Sequence, residues 1–395
     1  MTNNSERFLF KETDSTSAKL KVIGVGGGGC NAVDSMVRAG LTGVDFIAAN
    51  TDLQALEDSL ASTKIQLGKE RTKGLGAGAN PDAGEESALE QAEEIRQVLD
   101  GSDMVFVTAG MGGGTGTGAA PVVANLARDL GALTVAVVTK PFQFEGSRRM
   151  CRAEEGIAQL KRSTDTLLAI PNQRILGTIE KNTPLTEAFT QANIVLRHAI
   201  SGIADVITMP GLVNVDFADV RAVMSHMGRA VLGMGCGNGE ERAVTAARSA
   251  ISSPLLENGG IEGARALLFN IRGGVDLSLH EVTEAAEVIQ ESADQDANII
   301  FGAVVNHEVL DEVVITVIAT GFDRELALAQ TVPNYVSDVS INDREIRSAG
   351  ELKLTSVRKV SPRRNVNVAQ ANLPLLKDQL EIPAYLRHGN GKEST

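Results

Sequence analysis

Seven consecutive residues, Gly112-Gly113-Gly114-Thr115-Gly116-Thr117-Gly118, combine glycines with two hydroxyl side chains. Without Cβ atoms, such a stretch lets several backbone N–H groups converge on one anion. The apolar run Met104-Val105-Phe106-Val107 before it reads as a buried strand, and Ala119-Ala120-Pro121-Val122-Val123 after it as the start of a helix. That helix adds unpaired N-terminal N–H groups and the positive end of its dipole. Thr115 and Thr117 are expected to offer hydroxyl donors to the same place. A flexible linker can share this composition, but linkers do not join a buried strand to an apolar helix. The stretch is a phosphate cradle.

Two further segments follow the same logic. Gly24-Val25-Gly26-Gly27-Gly28-Gly29 fits the G-x-G-x-x-G pattern of dinucleotide-binding turns, a weak signal alone. A Rossmann site also wants an acid at the end of the second strand, where Asn50 stands, with Asp52 two residues on. Nor does an NAD(P)-dependent oxidoreductase explain a second, larger glycine loop. With Lys73-Gly74-Leu75-Gly76-Ala77-Gly78-Ala79-Asn80 as the third segment, the pattern suggests a long phosphate tail held from several sides. No G-x-x-x-x-G-K-[ST] occurs, so this is not a P-loop.

The phosphate loops carry no catalytic base. Asp216 and Asp219 are the better candidates, three apart at the start of a helical pattern and so on one face. Helix capping, by Asn214 or through the dipole, explains one acid more easily than two. Of the histidines, His198 and His226 lie in the domain-joining region without partners in sequence, and are expected to be surface or packing residues.

Positioning these residues takes alternating strands and helices. Strands are expected at 20–25, 44–49, 104–108, 133–139 and 166–170. Helices are expected at 31–39, 53–60, 85–99, 119–130 and 147–162, with residues 26–29 as a turn. This alternation implies a parallel sheet covered on both faces, with ligands at the carboxyl ends of its strands. Thr183-Pro184 reads as an N-cap and first helical position, opening a long helix to about Ala204 that spaces two domains. Strands at 266–271, 298–305 and 313–320 suggest a smaller second α/β domain. Residues 323–376 show little periodicity and read as a disordered linker, ending near the apolar cluster Leu380, Ile382, Pro383, Tyr385 and Leu386. Such a cluster on a tether suggests a docking peptide.

The chain has 395 residues, with 37 Lys+Arg against 50 Asp+Glu and a net charge of −13, which argues against a general nucleic-acid binder. No apolar run approaches the ~20 residues needed to span a bilayer, and the polar start does not resemble a signal peptide. Its three cysteines, Cys30, Cys151 and Cys236, are far apart, fitting reduced thiols in a cytoplasm and giving no metal-ligand spacing. Aromatics are 3%, so the core must be aliphatic.

Residues 112–118 match the G-G-G-T-G-T-G signature of the tubulin/FtsZ superfamily, and the chain resembles its FtsZ family of bacterial cell-division GTPases over residues 18–322. Residues 26–31, Asn50-Thr51-Asp52, 73–81, 141–146 with Arg149, and 214–224 agree in order; residues 381–387 look like the family's C-terminal peptide. The resemblance implies a Rossmann-like GTP-binding domain with a parallel sheet, a long central helix, a smaller C-terminal α/β domain, and a disordered linker with a docking tail. The implied spans are a flexible extension at 1–18, the GTP-binding domain at 19–182, the central helix at 183–204, and a GTPase-activating domain at 205–322 containing a catalytic loop at 211–219. A linker at 323–377 and a partner-binding peptide at 378–395 complete the chain.

The resemblance further implies that Gly27, Gly28, Gly29, Cys30 and Asn31 wrap the α/β-phosphates of GTP or GDP. Gly112, Gly113, Gly114, Thr115, Gly116, Thr117 and Gly118 hold the β/γ end, and Gly78 and Ala79 sense the γ-phosphate. Asn50 lies at the site, Glu145 binds the ribose hydroxyls, and Arg149 lies beside sugar and phosphate. Phe189 stacks on guanine, although plain core packing competes for it, and Asn193 reads the base where many relatives carry Asp. Cys30 departs from an all-glycine run and is expected to add a thiol at the nucleotide. Asp216 and Asp219, with Asn214, act in the next subunit's pocket, so that head-to-tail contacts build a homopolymer. Mg²⁺ is the expected companion of the phosphates. The tail would recruit membrane-tethering adaptors and division regulators, without direct membrane insertion, at a cytoplasmic midcell ring. A scaffold that binds GTP without hydrolysing it is the non-enzyme rival; the paired acids argue against it.

Overall fold

The computed structural model describes residues 18–322, except 178, 180–181, 210–214, 226–227, 257–259 and 306–310. The expectations for the N-terminal extension up to residue 17, the linker, the tail, Asn214 and His226 lie outside the described residues. Those described belong to one compact unit.

The first half runs β1 (Leu20–Val25), α1 (Gly26–Arg38), β2 (Val44–Asn50), α2 (Leu53–Glu57), β3 (Thr63–Gln66), α3 (Pro81–Glu90), α4 (Ala92–Leu99), β4 (Met104–Gly110), α5 (Thr115–Asp129), β5 (Leu133–Lys140), α6 (Ser147–Ser163), β6 (Thr166–Pro171) and α7 (Asn172–Ile175). The second runs α8 (Leu185–Thr208), α9 (Phe217–Met224), β7 (Gly228–Asn238), α10 (Arg242–Ile251), β8 (Ala266–Gly273), α11 (Leu279–Glu291), β9 (Asn298–Val305) and β10 (Glu312–Thr320).

The strands form one sheet in the order β3-β2-β1-β4-β5-β6-β7-β10-β8-β9. From β3 to β6 all neighbours are parallel. Successive side chains alternate between faces. Leu20 and Val22 of β1 join Met104 and Phe106 of β4 in one core with α1, α8 and α9. Ile23 and Val25 join Val105 and Val107 in a second core under α4, α5 and α6. Both faces are thus buried, as a parallel sheet requires. From β1 the chain winds outward to β2 and β3, then returns to place β4 on the other side of β1. The strand order reverses there, leaving a crevice beyond the carboxyl ends of β1 and β4.

Several local expectations need correction. Helices α1 and α5 start at Gly26 and Thr115, inside stretches expected to be turns. Glycine's low helix propensity hid them; close backbone packing overrides it. Residues 85–99 divide into α3 and α4 at Gln91. Pro184, not Thr183, holds the cap position of α8, without a side-chain cap bond. The long helix is also more than a spacer: it packs against α1 and β5 and against β8, β9 and β10. Strand β7 was hidden by its glycines. A Cβ on Gly233, Gly235 or Gly237 would stand 2.0–2.3 Å from a carbonyl oxygen of α10, so this face must stay bare.

Candidate functional site

Three glycine-rich segments meet at the crevice. The cap residue of α1, Val25, and that of α5, Gly114, make no side-chain cap bond, so their first-turn amides are not capped from within. Two helix N-termini therefore offer N–H groups and positive dipole ends at one place. The loops touch backbone to backbone: a Cβ on Gly26 would lie 2.8 Å from Gly116 N, and one on Gly28 3.1 Å from Gly110 Cα. Gly27, Gly113 and Gly78 behave differently, since a Cβ on any of them would meet nothing within 4 Å. Glycine serves packing at the first set and leaves open space at the second.

The third segment is tied in from the side. Leu53 N donates to Gly74 O at 3.1 Å, and Gly76 N donates to Thr51 O at 3.1 Å. Asn80 caps α3 by accepting from Asp82 N at 3.1 Å, with Pro81 at the first helical position. A Cβ on Gly114 would lie 2.9 Å from Asn80 N, so this loop closes directly over the signature stretch. Ala79 holds φ +59, a left-handed conformation that costs a non-glycine residue about 1 kcal/mol and tends to mark functional sites. A cavity of about 380 Å³ opens beneath, lined by Gly78, Ala79, Asn80, Thr117, Arg152 and Glu155 among others.

The two threonines divide their work, contrary to expectation. Thr117 is buried and accepts from Gly112 N at 2.8 Å, folding the signature loop onto itself. Thr115 is half-buried, and its hydroxyl lies 2.6 Å from that of Thr51. Asn31 is exposed on α1, whereas Asn50 is buried and accepts from Asp52 N at 3.3 Å. The Asn50 side chain thus helps to shape its own turn. Cys30 also turns inward, 2% exposed in the core, with Sγ 3.8 Å from Gly24 O. Burial, then the neighbouring Asp34 charge, pushes its thiol up to about 12. The expected thiol at the nucleotide is absent because the apolar core offers it a better place; Cys151 and Cys236 are the exposed ones.

At the other side of the signature loop, Arg149 Nη1 pairs with Glu145 Oε2 at 3.0 Å. Glu145 also accepts from Phe142 N at 2.9 Å, which orients its carboxylate. A Cβ on Gly112 would lie 2.6 Å from Arg149 O, so this ion pair sits beside the cradle. Phe142 is buried and carries two ring neighbours, Phe144 stacked at 5.2 Å and Phe189 edge-on at 5.3 Å. Phe189 remains 39% exposed, more than core packing alone would leave. Asn193 lies half-buried one turn further along α8. Phe142 and Phe144 lie within the 141–146 motif, but the sequence assigns neither the supporting role they have beside Phe189.

Asp216 and Asp219 stand apart from all of this. Both are exposed at the start of α9, and Asp219 N donates to Asp216 O at 3.0 Å. Asp216 makes no side-chain cap bond, so capping does not account for it. Arg221 donates to Asp103 O and Gly131 O, at 3.4 and 3.5 Å, and Thr166 donates to Met224 O. Those partners precede β4 and β5 or open β6, which places α9 at the amino ends of strands whose carboxyl ends carry the glycine loops. A seven-residue strand separates the two ends by about 20 Å. The acids do not share a site with their own subunit's cradle.

Among the described residues, no group of three or more His, Cys, Asp or Glu side chains could hold a metal ion, and no helix is long and apolar enough to cross a membrane. A separate cavity of about 300 Å³ lies where α1, α8 and β8 meet, lined by Thr42, Arg197, His198, Ser201, Asp205 and Arg272 among others.

Comparison with known proteins agrees with this architecture. A family model described as "Tubulin/FtsZ family, GTPase domain" matches residues 19–180, and one described as "FtsZ family, C-terminal domain" matches residues 228–323. An FtsZ dimer from M. jannaschii is 46% identical, with TM-score 0.75, over 78% of this chain and 89% of that one. A mutant FtsZ from the same organism gives TM-score 0.74 at 46% identity, over 78% and 92%. CetZ2 from Haloferax volcanii, solved as a GTPγS-bound protofilament, shares the fold at 20% identity, with TM-score 0.65 over 79% and 96%.

Proposed function

The chain belongs to the FtsZ family of tubulin-like GTPases, and on that premise we propose that it hydrolyses GTP at the contact between subunits of a head-to-tail filament. The observation that carries this reading is the separation of the glycine cradle from Asp216 and Asp219, at opposite ends of the same strands. One subunit's cradle then holds the nucleotide while the next subunit brings the carboxylates that polarise the attacking water. Such a contact is heterologous and propagates. That the M. jannaschii relative is described as a dimer and CetZ2 as a protofilament supports the same arrangement.

In this mechanism the first-turn amides of α1, at Gly27, Gly28 and Gly29 with Cys30 and Asn31, take the α/β-phosphates. The residues from Gly112 to Gly118 take the β/γ end, with Gly78 and Ala79 closing over the γ-phosphate. Glu145 accepts from the ribose hydroxyls and Arg149 neutralises adjacent charge. Phe189 stacks on guanine, and Asn193 accepts from one base edge group and donates to another. Asn214 belongs with the two acids in the donated loop. Mg²⁺ fits as a companion of the phosphates: among the described residues no acidic cluster would hold it alone, and the half-buried Thr115 hydroxyl at the start of α5 would add a ligand. When bound, the ion would neutralise charge on the β/γ oxygens.

The filament is the polymerising component of the bacterial division ring, in the cytoplasm at midcell. Leu380, Ile382, Pro383, Tyr385 and Leu386 form the peptide that membrane-tethering adaptors and division regulators bind. A net charge of −13 supports protein partners over nucleic acid. Deletion of 378–395 tests the tethering half of this reading: GTP-dependent light scattering should persist while adaptor-dependent recruitment to vesicles disappears. Normal recruitment of the truncated protein would sink it.

A further inference from the structure

Thr51 lies behind the cradle and is fully buried. Its hydroxyl is 2.6 Å from the hydroxyl of Thr115, which is only half-buried and therefore stands between Thr51 and the crevice. Its carbonyl oxygen accepts from Gly76 N at 3.1 Å. On one side of that bond the chain is zipped further. Asp52 and Leu75 form an antiparallel bridge, and Leu53 N donates to Gly74 O at 3.1 Å. One residue thus holds the signature loop through its side chain and the 73–80 loop through its main chain.

We propose that Thr51 is a positioning residue that locks these two loops into one unit, so that the response of Gly78 and Ala79 to a γ-phosphate depends on the Thr51–Thr115 hydroxyl pair. This rests on the reading of the crevice as a GTP site. The chemistry is a matter of hydroxyl counting. Each hydroxyl has one hydrogen and two lone pairs. If Thr51 donates to Thr115, Thr115 keeps its own hydrogen for a phosphate oxygen. If Thr115 donates, both its lone pairs stay free, suited to a cation beside the phosphates. In both cases the Thr115 rotamer is set from behind, and Thr51 cannot shift without pulling on Gly76. The 73–80 loop needs such a tie. Lys73, Gly74, Gly76, Gly78 and Ala79 all hold positive φ, a conformation that local preference does not maintain at Lys73 or Ala79.

Thr51→Val keeps the shape and removes the hydroxyl; Thr51→Ser keeps the hydroxyl. With the full-length chain below its assembly threshold, Thr51→Val should weaken GTP binding about tenfold and GDP binding no more than about twofold, as expected for one lost buried hydrogen bond. Thr51→Ser should restore GTP affinity to within about twofold. In a cycle with Thr115→Val, the double variant should be no worse than Thr115→Val alone, because the two hydroxyls act as a pair. Equal losses for GTP and GDP, equal damage from Val and Ser, or additive losses in the cycle would each overturn the proposal. Hydrogen exchange across residues 73–80 in nucleotide-free protein gives a readout that does not depend on GTP. It should quicken in Thr51→Val and not in Thr51→Ser, and unchanged exchange in Thr51→Val would refute the lock. Should the unsubstituted chain fail to bind GTP while exchange still quickens, the reading of the site fails and the lock stands.

Discussion

Arg221 Nη2 lies 3.4 Å from the carbonyl oxygen of Asp103, immediately before β4, while Gly110 ends that strand at the crevice. This contact fixes the helix that carries Asp219 to the amino end of the sheet. The glycine loops occupy the carboxyl end. On the proposed reading a subunit carries two half-sites facing opposite ways, each completed by another copy.

Asp219→Ala should leave GTP affinity of isolated subunits within about twofold of the original while lowering turnover at least about a hundredfold. Gly112→Ser damages the other half, because φ there is +96 and a Cβ would stand 2.6 Å from Arg149 O. Mixed together, the two inactive proteins should regain part of the hydrolysis, since some contacts pair an intact cradle with intact acids. Loss of GTP binding by Asp219→Ala subunits, or no recovery in mixtures that still co-assemble, would speak against the split site.

Base recognition should rest on Phe189 and Asn193. ATP is expected to bind at least a hundredfold more weakly than GTP, because a mismatched base edge leaves polar groups unpaired. Phe189→Ala should weaken both nucleotides by removing the stacking face. Competition titrations with a fluorescent GTP analogue measure this, and equal affinities for ATP and GTP would remove the assigned role.

Chemistry was easier to see in the sequence than geometry. The run from Gly112 to Gly118 between an apolar strand and an apolar helix was legible because only a tight backbone approach explains it. That Gly26 and Thr115 already begin helices was not, since glycine argues locally against helix and only the contacts with Gly116 and Gly110 explain the exception. The same conflict hid β7. The inward turns of Thr117 and Cys30 depend on which face of a helix meets the core, and glycines do not mark that face. The spacing of Asp216 and Asp219 pointed to a pair, but only the register of the sheet places them far from their own cradle.

Acid should destabilise the fold through His198. Burial, then the Arg197 and Arg272 charges, lowers its pKa from 6.5 to about 4. The unfolded chain takes up this proton first, so His198 contributes stability that is present above about pH 6.5 and lost as pH falls through about 4. The loss amounts to roughly 3 kcal/mol. Asp205, on the same cavity, opposes it. Burial raises its carboxyl to about 6 despite Arg272, so its contribution is present below about 3.8 and lost as pH rises through 6. His198→Gln removes the first effect and keeps the second. Denaturation midpoints at pH 7 and pH 4.5 should therefore fall less for His198→Gln than for the unsubstituted chain; equal falls would rule out the histidine as the cause.

An active site made by assembly shows itself in the GTPase rate per subunit measured against protein concentration. Sites formed only between subunits require a specific activity near zero at low concentration, rising steeply above a threshold that coincides with the onset of light scattering. A specific activity that stays constant from far below that threshold to far above it would mean that one subunit carries a complete site, and would rule out a site shared between subunits.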